Sequence, residues 1–155
     1  MTWKKNPDVT KNGLILTVTQ HVPNTPDING NNKLPVMIPV AIGFIDTKTK
    51  KDVIFNNNEE TTQILTCNAD MNQFELEFDH DIDPSCLIPS ILRNFSAPVR
   101  LITPQLHNQE LSFLLQHDTD QFNQSEAAAN LMTNMVSTKS EREERSAIAY
   151  MEIHL

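Results

Sequence analysis

The hydrophobic period of this chain changes once, near Pro104, and that change constrains the fold more than any other feature. From Gly13 to about Thr103 apolar residues recur at every second position, as in strands; after Pro104 they recur toward every 3.6, as in helices. In the first part Leu14, Leu16 and Val18 alternate with Ile15, Thr17 and Thr19. In "NQFELEF" Phe74, Leu76 and Phe78 face one way and Glu75, Glu77 and Asp79 the other, so one side of that sheet meets water. "VMIPVAIGFI", Val36 to Ile45, is apolar on both faces like a central strand, and Pro39, which lacks an N–H, must sit at a bulge or beside an edge. "DTKTKKD" is a charged turn into Val53-Ile54-Phe55, "TTQILTC" a further strand and "FSAPVRLI" a closing one with a proline, while Val22 to Pro35 is a long Pro/Asn/Gly loop. Short strands with turn signals and no helical pattern between them predict a mainly β fold, an immunoglobulin-like antiparallel sandwich over residues 13–103.

Residues 104–155 form the helical part. Asn108 can cap a helix with Leu111, Leu114 and Leu115 on one face. Asn123 with Glu126 approximates a capping box for a second, whose Ala128, Leu131, Met132 and Met135 repeat at i, i+3, i+4, i+7. Ser140 and Glu143 offer a third start before Ile148 and Met151. Three short helices cannot close a core of their own, so they are expected on the sandwich or in a larger helical body.

Composition narrows the partners. With 155 residues a real core is within reach, and 39% apolar against 21% charged residues is globular usage. A net charge of -8, with no Lys/Arg stripe, argues against nucleic acid. The start "MTWKKNPDVTKNG" has no apolar signal region, and Leu34 to Ile45 is too short and Pro-broken to span a bilayer, so a cytoplasmic protein without membrane contact is expected. Cys67 and Cys86 lack CxxC spacing and read as buried, reduced thiols; the sequons at Asn94 and Asn123 read as chance matches.

Chemistry is sparse. No HExxH, GxSxG or Gly-rich phosphate loop occurs. Asp79, Asp81 and Asp83 mimic the start of a calcium loop, but Pro84 stands where Gly is needed and Ser90 where the bidentate Glu is needed, which leaves a solvated turn. His117 with Asp118 or Asp120 could be an acid–base or metal cluster, yet carboxylates at such a place usually cap the next helix. Arg93, set among apolar residues in "SILRNFS", has two open readings: an ion-pair anchor at an interface, or a surface arginine with its stem over apolar atoms.

Four stretches in order, "LTVTQHVPNTP", "LPVMIPVAIGFID", "PSILRNFSAPVRL" and "ELSFLLQHDTDQFNQSEAA", resemble a region of the bacterial aminopeptidase N (membrane alanyl aminopeptidase) family of zinc metallopeptidases, over about Gly13 to Leu131. The last two are the specific ones. The resemblance implies the non-catalytic β-sandwich between the catalytic and C-terminal helical domains, followed by the opening helices of the latter. It implies for the parent a zinc enzyme that removes N-terminal amino acids from peptides, with zinc on HExxH and a downstream glutamate and the substrate amine on a GxMEN-type stretch. Neither motif is present, so no catalytic, cofactor-binding or metal residue carries over. Gln124-Ser125 replaces the family's Arg-Trp, Asn56 to Glu60 is Asn-rich, and the likeness fades after Leu131, which suggests an excised, truncated or split product. The implied partners are the catalytic and helical domains, in the parent chain or in trans. Leu92, Phe95, Leu114 and Phe122 are predicted to be buried between domains, and in an isolated chain the exposure of some of that surface predicts self-association. The competing reading is a free-standing binding module that uses the acidic face of Glu75, Glu77 and Asp79 and the Val22–Pro35 loop.

Overall fold

The computed structural model describes residues 2–5, 13–22, 34–55, 60–79, 82–101, 106–136 and 153–154. In chain order the strands are β1 (Thr2–Lys5), β2 (Gly13–Thr19), β3 (Ile38–Asp46), β4 (Lys51–Asp52), β5 (Gln63–Cys67), β6 (Met71–Glu77), β7 (Leu87–Ile91) and β8 (Arg100–Leu101). Helices α1 (Asn108–His117) and α2 (Gln121–Val136) follow, then a short β9 (Ile153–His154) paired with β8.

One sheet has the order β1-β2-β6, all antiparallel. The other is built on β3. Ile42 pairs with both Gln63 and Ile91, and Ile45 with both Asp52 and Ile88, so β4 and β5 share one edge of β3 and β7 takes the other. Pro39 sits as its chemistry requires. The Ala41 N–H donates to Ser96 Oγ at 3.0 Å on the β7 edge; Pro39, two residues back, faces that edge beyond the end of β7, where no ladder bond is lost.

The sheets close over Leu14, Leu16, Val18 and Leu76 from one side and Ile38, Val40, Ile42 and Phe44 from the other, as the period-2 pattern predicts. Phe44 meets Phe55 and Phe78 edge-on, with centroids 6.2 and 5.6 Å apart. Phe55 and Phe78 also form a backbone bridge that ties the two sheets together. Cys67 is buried there, and burial pushes its thiol up to about 11; Cys86 is only half-buried.

The opposite face of β3 is also covered. Ile45 and Ile88 form a second apolar cluster with Leu111, Leu114 and Ala127, so the helices lie on the sandwich and the molecule has three layers.

Several local expectations are corrected. "FSAPVRLI" is not one strand: the chain turns through Leu92, Asn94 and Phe95, with φ of 60°, 55° and 51°, and among the described residues of the stretch the strand is Arg100–Leu101. α1 is capped at His107 rather than Asn108, because Glu110 lies three residues after His107 and its carboxylate accepts the His107 N–H at 2.6 Å. Leu115 is exposed. α2 starts after Asp120 instead of Asn123, and its buried line is Asn123, Ala127 and the half-buried Leu131, while Met132 and Met135 are 68% and 78% exposed. The helix is rotated by about one residue from the apolar stripe because its first turn is held by polar bonds. The Val22–Pro35 loop is described only at its ends; the third helix, the Asn-rich stretch 56–59, Asp81 and the boundary at 103–104 lie outside the described residues.

Candidate functional site at the sandwich–helix junction

Gly43 of β3 and Ser90 of β7 are cross-strand partners on the helix-facing side of the sheet. Between them and the helices lies Arg93, 3% exposed. A Cβ on Gly43 would overlap Arg93 Cζ, so the glycine supplies the space in which the guanidinium lies flat on the strand. Arg93 reaches this place from a short 3₁₀ turn, Arg93–Phe95, flanked by the left-handed Leu92. A left-handed non-glycine residue costs about 1–2 kcal/mol and persists only where its surroundings over-determine it.

Those surroundings are hydrogen bonds. Arg93 Nε donates to Ser90 Oγ at 2.9 Å, Nη1 to the Thr61 carbonyl at 3.2 Å and to Thr62 Oγ1 at 3.0 Å, and Nη2 pairs with the Asp52 carboxylate. Asp118 Oδ1 lies 3.6 Å from the same Nη2. Thr119 Oγ1 donates to the other Asp52 oxygen at 2.6 Å. Asp120 joins three segments: Oδ1 accepts the Asn123 N–H at 2.9 Å as the α2 cap, Oδ2 accepts the Asn94 N–H at 2.7 Å, and its own N–H donates to Asp118 Oδ1 at 2.9 Å. Asn123 Nδ2 donates to Ser90 Oγ at 2.8 Å, and Gln124 Nε2 to the Asp118 carbonyl at 2.7 Å. Thr119, Asp120 and Asn123 are thus bonded to the sandwich and its last turn, with Asp118 facing Arg93.

Burial pushes the Asp118 carboxyl above the ordinary carboxylate value; the Asp120 N–H, the nearby Ser90 hydroxyl and the Arg93 charge draw it back only in part. Among the described residues Asp118 Oδ2 is the buried side-chain oxygen that has no hydrogen-bond partner.

Of the two readings of Arg93, the ion-pair anchor is the one observed. The capping role expected of the acidic turn belongs to Asp120. His117 rests on Phe113, ring centroids 4.7 Å apart. Leu92 belongs to the sandwich core, Leu114 to the second cluster, and the half-exposed Phe95 lies 5.1 Å from the Phe122 ring. All four line a cleft of about 500 Å³ between β7 and the helices, along with Leu106 and Leu111. Ser90, Gly43, Asp52 and Asn123 were not foreseen as a group; a lone Gly in an otherwise bulky strand was the one available signal.

Residues 1–104 match the family model described as DUF3458, a domain of unknown function with an Ig-like fold. The chain belongs to the DUF3458 family. Aminopeptidase N of Escherichia coli (strain K12) is 28% identical to this DUF3458 chain over 140 residues, 90% of this chain and 15% of that protein. The crystal structure of Legionella pneumophila aminopeptidase A in complex with aspartic acid matches with a TM-score of 0.61 at 27% identity, covering 86% of this chain and 13% of that one. A 140-residue alignment extends past residue 104, so the likeness takes in residues of the helical part as well as the sandwich. The DUF3458 chain therefore corresponds to the Ig-like region of the aminopeptidase N family and spans a small part of those relatives' length. Zinc, which that family implies for a parent enzyme, finds no matching ligands here: HExxH is absent, and no group of three His, Cys, Asp or Glu among the described residues could hold a metal ion. No helix among them is long and apolar enough to cross a membrane.

Proposed function

We propose that this chain is an interdomain structural segment of a zinc-dependent alanyl aminopeptidase of the aminopeptidase N type, inactive alone, which holds catalytic and helical domains in fixed relation. The observation that carries the reading is the Arg93 junction. It joins the sandwich and its last turn to the α1–α2 turn and the start of α2 through the Asn94–Asp120, Thr119–Asp52 and Asn123–Ser90 bonds and the Arg93–Asp118 pair, an arrangement that resists bending. The partners are the catalytic domain and the rest of the helical domain, in one polypeptide or in trans.

One observation favours a second reading, a module that acts in trans: the cleft beside the junction is lined largely by apolar residues, as a surface awaiting a partner would be. Both are tested by aminopeptidase activity on an alanine anilide, with metal analysis, for the chain alone and mixed with cell extract depleted of intact enzyme. No zinc and no activity in either sample supports the scaffold. Activity only in the mixture supports assembly in trans, and activity of the chain alone with stoichiometric zinc overturns both.

A further inference from the structure

Arg93, the buried cation among the described residues, faces Asp52 and Asp118, and Asp120 is bonded to Asp118 beside it; the three carboxylates are not equivalent. Asp52 accepts from Arg93 on one oxygen and from Thr119 on the other. Asp120 accepts from Asn123 on one and from Asn94 on the other. Both oxygens of each of these are thus already engaged. Asp118 accepts the Asp120 N–H on Oδ1, while Oδ2 is buried without a partner. A proton there displaces nothing and relieves a cluster that otherwise holds more negative than positive charge in a poorly solvated space.

We propose that Asp118 is the proton-binding member of the junction, and that its protonation seats the α1–α2 turn more firmly on the sandwich. The groups that face Asp118 are Arg93 from the 93–95 turn, Asp52 of β4 across that guanidinium and Asp120 of its own turn; β7 presents the neutral Ser90, and α2 the neutral Asn123 and Gln124. His117, its neighbour in sequence, turns its ring onto Phe113.

The sign follows from linkage. Burial holds the folded carboxyl above 3.8, so in the window above that value the folded state keeps a proton that the unfolded state has lost, and this contribution to stability falls as pH rises through the folded value. Asp46 and Asp83 act oppositely and elsewhere. Despite its partial burial Asp46 is held below 3.8 by the N–H groups of Lys48 and Thr49, and Asp83 is held low by the hydroxyl and N–H of Ser85; their contributions are lost as pH falls below 3.8.

The test is a carbon-detected NMR titration of aspartate carboxyls in the full chain and in Asp118→Asn, with thermal midpoints from about pH 4 to about pH 8. We expect one carboxyl, assigned through-bond to Asp118 and absent from the variant, to titrate above the ordinary aspartate range. The midpoint of the variant, a neutral isostere of the protonated acid, should exceed that of the parent by a margin that grows with pH. Amide exchange at Asn94 and Asn123, corrected for its intrinsic pH dependence, should slow as pH falls. Asp118 titrating at or below 3.8, or a margin constant with pH, would overturn the proposal. The titration of the unsubstituted chain decides alone if the variant does not fold.

Discussion

The two faces of β3 solve the same problem in opposite ways. On one face Ile38, Val40, Ile42 and Phe44 meet the second sheet in an apolar layer whose partners need only the right volume. On the other, Ile45 joins a small apolar cluster while Gly43, two residues away, makes room for a guanidinium with several fixed bonding directions. The apolar face supplies bulk stability with little preference for one orientation. The polar face adds orientation, because a planar donor fork satisfied on several sides fits one arrangement of sandwich and helices.

This contrast can be broken by substitution. Phe44→Ala removes a ring that packs edge-on against the stacked Phe55 and Phe78, and should lower stability by about 3–5 kcal/mol in urea unfolding, with little change in slope. A loss under about 1 kcal/mol would show that the inner face is not the close-packed one. Gly43→Ala adds only a methyl group, yet it should cost about 1–3 kcal/mol because the new atom meets Arg93. Arg93→Ala alone is more damaging, since it strands buried carboxylates; in that background Gly43→Ala should cost little, so the double-mutant cycle must show strong coupling. Additive losses would mean that the guanidinium does not lie on Gly43. Met135→Gln, on the exposed side of α2, should change stability by no more than about 0.5 kcal/mol. A larger loss would place that side against something else.

The strands were readable because alternation is a local signal: Leu14, Leu16 and Val18, or Phe74, Leu76 and Phe78, declare their faces within one strand. The junction was not. Arg93 bonds to Ser90 three residues away but also to Thr62, Thr61 and Asp52, which lie 31, 32 and 41 residues earlier, and no spacing rule joins them. α2 departs from its sequence pattern for a related reason: an apolar stripe that ends in methionines fits several rotations equally well, and the choice falls to Asp120 and Asn123, whose partners are on the sandwich and its last turn.

Residue order alone established the change of period near Pro104, the sandwich-then-helices arrangement and the likeness to one region of the aminopeptidase N family, since each depends on short-range pattern or ordered motifs. It also singled out Arg93 without choosing between its two roles. Packing made that choice. Only when β4, β7 and the α1–α2 turn converge on Gly43 does a lone arginine become a buried anchor, because a charge is held away from water only where several distant chain segments bring its partners together.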